Sequence, residues 1–152
     1  MDEKEILRAR LRATPRSVFL SVAFSGALAI LMIIRILWTY QQAGKPLSRG
    51  LFYAGLAGFM LIANGISLLN KSKMGYLVIL VFGALPALGS FALALHALNL
   101  LTTGNRAEDQ IGLVTSLIGL LQFVTIVALL TSLLRREARN WVWKDAAEVP
   151  AG

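Results

Sequence analysis

Few residues within the apolar stretches of this 152-residue chain can do chemistry: Arg35, Asn64, His96, Asn99 and Gln122. A guanidinium stays charged and carries five N–H donors, so Arg35 can bind an anion, bond to a neighbouring helix, or extend its stem to the headgroups. His96 is the one histidine. It could act as a pH-sensitive or ligand-binding group or as a hydrogen-bonded helix-end residue, but one imidazole cannot build a multi-histidine metal site or an axial pair for haem. The amides Asn64, Asn99 and Gln122 have the chemistry either to bond helices together or to line a polar pathway.

Other chemistries lack their residues. There is no cysteine, which removes disulfides, thiolate nucleophiles and Cys-based metal or iron–sulfur sites. No Asp or Glu lies in any long apolar stretch, so the intramembrane carboxylate common in proton-coupled transport and the paired carboxylates common in hydrolysis are both missing. The expectation is a non-enzymatic protein with no catalytic residues, no metal and no cofactor.

The elements that must position these side chains follow from composition. The chain is 57% apolar and 15% charged, against roughly 45–50% and about 25% in ordinary globular domains. Four stretches, 17–38, 51–70, 74–101 and 111–134, each reach the approximately 20 residues that a helix needs to cross about 30 Å of hydrocarbon. Lipid satisfies no bare backbone groups, and continuous apolar runs do not suit a barrel, so all four are expected to be helices. The fold class is therefore all-α: a polytopic membrane protein whose short loops make an antiparallel four-transmembrane-helix bundle. It is flanked by a basic segment, 1–16, and a tail, 135–152.

Two local features refine this picture. Thr14-Pro15 reads as an N-cap with proline at the first helical position of a retained signal anchor. The third stretch holds Pro86, whose missing N–H frees the Phe82 carbonyl, so that helix should kink or tilt.

Small residues mark the packing faces. Ser17, Ser21, Ser25 and Ala29 recur every four residues in the first stretch, and Arg35 continues the same side. The second stretch aligns Ala54, Gly58, Asn64 and Gly65; the third aligns Gly89, Ala92, His96 and Asn99; the fourth aligns Gly112, Ser116, Gly119 and Gln122. These faces should meet in a bundle interior or an oligomeric interface. The serine stripe and the Gly83/Ala87 pair offer more contacts than one bundle needs, which suggests a homo-oligomer or a membrane-protein partner. By residue counting, Arg35, His96 and Asn99 form an outer polar cluster, with Gln122 near mid-membrane and Asn64 deeper.

Charge sets the orientation. With the N-terminus inside, eleven Lys and Arg fall on the cytoplasmic side and three (Lys45, Arg49 and Arg106) on the other, which places both termini in the cytoplasm of a cytoplasmic membrane of bacterial type. The net charge of +7 then reflects topology and contact with anionic headgroups, with no role for nucleic acid. The 1–16 segment and the 135–144 segment with Trp141 and Trp143 have the pattern of helices lying along the inner interface. The functional expectation is helix-mediated association, as an accessory, assembly or immunity-type subunit. The alternative is a small oligomeric channel or transporter lined by Arg35, His96, Asn99 and Gln122.

Overall fold

The computed structural model describes residues 11–103 and 110–143, together with Glu5 and Arg8. Every regular element among them is a helix: α1 (Arg16–Gln42), α2 (Leu47–Leu69), α3 (Lys73–Ala84), α4 (Ala87–Thr103), α5 (Gln110–Leu134) and α6 (Arg136–Trp143). Four stretches, Arg16–Gln42, Leu47–Leu69, Lys73–Asn99 and Gly112–Leu134, are long and apolar enough to cross a membrane. By length and composition the chain is thus an integral membrane protein. The amphipathic helix expected over 1–16, for the most part, and the tail from Lys144 onward lie outside the described residues.

Local chemistry places the helix ends. α1 starts one residue later than Thr14-Pro15 suggests: Pro15, with φ −61° and ψ 147°, is itself the N-cap, and no side chain caps it. A ψ that extended belongs to the cap and not to the first helical turn. α1 ends with Gly44 at φ +60°, where Gly44 N–H donates to Gln41 O and Lys45 N–H to Tyr40 O. This is a Schellman closure using the residue best able to adopt a left-handed φ. α2 ends in the same bond pattern, Lys71 N–H to Leu68 O and Ser72 N–H to Ser67 O, but Lys71 holds the positive φ of 57°. Ser72 then caps α3 by accepting from Gly75 N–H at 3.0 Å. As the missing N–H of Pro86 implies, the third stretch breaks there: α3 stops at Ala84 and α4 resumes at Ala87.

α1 packs between α2 and α5. Ser17, Ser21, Ser25 and Ala29 are all buried within the single chain, so the stripe is consumed by internal contacts. Ser21 Oγ lies 3.0 Å from Ser132 Oγ, and Ser25 donates to Leu61 O at 2.7 Å. On α2 two glycines are packed closely against α1: a Cβ on Gly58 would lie 2.8 Å from Ile33 Cδ1, and one on Gly65 would lie 3.1 Å from Ser25 Oγ.

α3 packs against both α2 and α5 and completes a ring with α1. Tyr76 donates to Leu133 O at 3.2 Å, Gly83 is buried against Leu129, and Ala87 packs on the margin of the same core. We call this end of the bundle, where α1 begins and α5 ends, proximal. α6 folds back beneath it. Ala138 and Val142 are buried, Trp141 Nε1 donates to Leu68 O at 3.0 Å, and Ser17 Oγ donates to Glu137 at 3.3 Å. The Lys71 and Lys73 ammonium groups sit over the rings of Trp141 and Trp143 at 4.7 and 5.3 Å. Residues Arg136–Trp143 therefore pack across the end of the bundle.

Beyond Pro86 the ring opens. α4 packs chiefly on α5, with far less contact to the other helices. Its buried face is Ser90, Ala94 and Ala97, with Leu93 seated over Gly119 and Phe91 5.3 Å from Phe123.

Candidate functional site

The opening leaves a cleft of about 220 Å³ lined by Met32, Arg35, Ile36, Thr39 and Tyr40 of α1, by Pro86 at the break, and by Gln122 of α5. Its walls arise from spacing. Met32 and Thr39 lie three before and four after Arg35 and share its side of α1, while Ile36 and Tyr40, four apart, form the adjoining side. Pro86 turns α4 toward α5 and away from that side.

Inside the cleft the Arg35 guanidinium donates to Gln122 Oε1 at 2.8 Å. Gln122 is 1% exposed, and Ser90 Oγ approaches the same oxygen at 3.5 Å. Nearer the distal end Trp38 Nε1 donates to Thr115 Oγ1 at 3.1 Å, a second tie between α1 and α5. Thr39 donates to the Arg35 carbonyl of its own helix at 2.8 Å. The guanidinium charge thus meets a neutral amide. The described carboxylates, Glu5 and Glu137, lie outside the four membrane-crossing stretches.

The structure joins Arg35 to Gln122, a pair the outer-cluster expectation had kept apart. Counting residues from helix ends placed them at different depths, but the long arginine stem closes that gap. It does not bring His96 or Asn99 to Arg35: both are exposed on α4, together with Gly89 and Ala92. That expected face is turned outward, because the neighbouring set Ser90, Ala94 and Ala97 packs on α5. Asn64 is half-buried and donates to Met60 O of its own helix at 2.7 Å, so it does not tie helices together through that group. Among the expected packing residues, Gly58, Gly83 and Gly119 are buried, whereas a Cβ on Gly89 would meet nothing within 4 Å.

Sequence reasoning did not reach the remaining lining residues. Tyr40, Thr39 and Ile36 are unremarkable singly, and their signal is only proximity in helical register to an intramembrane arginine. Chemically the site offers a permanent positive charge, an amide and apolar walls, a combination suited to binding. No protein family, curated protein or solved structure matches the chain.

Proposed function

We propose that this chain is a non-enzymatic membrane protein that works by helix-mediated association in the bilayer, as an accessory, assembly or immunity-type subunit. Its partner is another membrane protein or a second copy. The carrying observation is the contrast among span glycines. Gly58, Gly65 and Gly119 face neighbouring side chains inside the chain, but Gly55 and Gly89 have open space where a Cβ would be. Glycine within a helix costs about 1 kcal/mol relative to alanine, and an open glycine on a membrane helix lets another backbone approach closely. Leu88, 82% exposed beside Gly89, supplies apolar surface for such an approach. A photo-crosslinking residue at Leu88 should yield a discrete protein adduct in native membranes, lost on Gly89→Leu. Adducts with lipid alone would overturn this reading.

The arrangement we propose is an antiparallel bundle with both termini cytoplasmic and the basic proximal face against anionic headgroups of a bacterial-type cytoplasmic membrane. The contact order Tyr40–Gly50, Ile33–Gly58 and Ser25–Gly65 supports opposed directions for α1 and α2, and the charge asymmetry supports the orientation. Cysteines introduced at Ser48 and Ser72 test it: only the first should label from outside intact cells.

The second reading, a small channel or transporter, is favoured by one feature, the cleft. Of the four residues expected to line a pathway, Arg35 and Gln122 line the cleft, joined there by Thr39 and Tyr40. Solute or ion flux in liposomes, lost on Gln122→Leu, would establish it over the association reading.

A further inference from the structure

We infer that the cleft beside Arg35 is a binding site for the oxyanion head of a membrane amphiphile, a phosphate or carboxylate carried on an acyl chain. The inference stands on the cleft itself and is independent of the association reading.

Charge comes first. A guanidinium carries five N–H donors, and among the described residues Arg35 places its side chain on one acceptor, Gln122 Oε1 at 2.8 Å. That acceptor is neutral, so among the described residues the positive charge is hydrogen-bonded but not balanced. No carboxylate lies in any membrane-crossing stretch. A partly desolvated cation without a counter-charge favours an oxyanion, and guanidinium geometry suits the two oxygens of a carboxylate or phosphate.

Size and lining narrow the class. At about 220 Å³ the cleft is smaller than the roughly 300–1,000 Å³ of pockets that enclose drug-sized ligands. It can hold a charged group and a few methylenes while the rest of the molecule stays outside. Beyond Arg35, Thr39 and Gln122 the walls are Met32, Ile36, Tyr40 and Pro86, which match an acyl stem and give a hydrated small anion little in exchange for its water. Gln122 spends its carbonyl oxygen on Arg35, so its NH₂ group remains the donor for a second oxyanion oxygen. The cleft lies where α4 leaves the ring, so a chain attached to the head can remain among the membrane lipids.

The test uses the full chain in a neutral maltoside detergent with ¹⁵N-labelled arginine, following the Arg35 Nε–H signal, which is assigned by its loss in Arg35→Gln. Dodecyl phosphate and dodecanoate should shift this signal saturably. Dodecyltrimethylammonium, of the same chain length and opposite charge, should not. Inorganic phosphate should bind at least tenfold more weakly than dodecyl phosphate; equal affinity would assign the site to free anions and overturn the amphiphile claim. Retention of radiolabelled dodecyl phosphate should fall about tenfold or more in Arg35→Gln, as expected for loss of hydrogen bonds to a charged group, and less in Arg35→Lys, which keeps the charge. Met32→Trp, which fills the cleft and leaves Arg35 in place, should weaken retention comparably, and it serves if Arg35→Gln does not fold. Retention unchanged in either folded variant, or an unmoved Arg35 signal, would overturn the proposal.

Discussion

The proximal and distal halves of this bundle contain similar residues and are built differently. In the proximal half four helices close a ring, and the buried cluster runs from Val18, Leu28 and Leu61 through Tyr76 and Ile79 to Ile126, Leu129 and Leu133. The buried residues of α1 end at Ala29. In the distal half α1 is held by glycines of α2 on one side and by Trp38–Thr115 and Arg35–Gln122 on the other, while α4 leans onto α5. One proline accounts for the divergence. Packing is therefore spent where the ring closes, and the charge-bearing Arg35–Gln122 hydrogen bond sits where it does not.

Substitutions can break this contrast. The same change, Gly→Leu, should have opposite consequences at two α2 positions: at Gly65, where a Cβ would be 3.1 Å from Ser25 Oγ, overpacking should cost about 3 kcal/mol or more. At Gly55, where nothing lies within 4 Å, the cost should be under about 0.5 kcal/mol. Unfolding in mixed micelles with increasing dodecyl sulfate measures both. Next in size, Gln122→Leu strands the Arg35 guanidinium and should destabilise by about 1.5–3 kcal/mol. Adding Arg35→Leu should recover much of that loss, and a double-mutant cycle reads the coupling.

Smaller effects sharpen the comparison. Trp141→Phe removes the bond to Leu68 O that pins α6 under the ring and should cost about 1 kcal/mol, with faster hydrogen exchange at residues of α6. Ser21→Ala deletes a buried bond to Ser132 and should cost about 0.6 kcal/mol. Ser116 provides the distal counterpart. Its hydroxyl is buried without a hydrogen-bond partner among the described residues, so Ser116→Ala should be neutral or slightly stabilising.

How much of this was legible in the sequence differs between the halves for the same physical reason. Helix number and the break at Pro86 follow from apolar length and a missing N–H, properties of the chain itself. The serine stripe of α1 was legible as a packing face because Ser17, Ser21, Ser25 and Ala29 recur every four residues, a longer run than the competing Ala23, Gly26 and Ala27. α4 carries two, Gly89/Ala92/His96/Asn99 and Ser90/Ala94/Ala97, offset by about one residue, and only the position of α5 selects the second. That selection turned His96 and Asn99 outward. The Arg35–Gln122 pair escaped depth counting because side-chain reach and helix tilt do not appear in residue intervals. The contacts of α6 with the bundle end were hidden for a related reason: an amphipathic pattern does not say which helices its apolar side also touches.

The central claim is that the ring is closed proximally and open distally, and the absence of native cysteine makes it directly measurable. Ser67 on α2 and Gly75 on α3 are in contact, with a Cβ on Gly75 falling 3.1 Å from Ser67 Cβ, near the roughly 3.5–4.5 Å that a disulfide spans. Tyr53 and Gly89 lie fourteen residues further along each helix in the distal direction, two heptads away, and would face each other if α4 continued the packing of α3. Oxidation of the Ser67→Cys/Gly75→Cys protein in membranes should form the intramolecular disulfide rapidly, while Tyr53→Cys/Gly89→Cys should stay reduced under the same conditions. Equal cross-linking of the two pairs would mean that the distal half is closed and that the cleft at Arg35 does not exist.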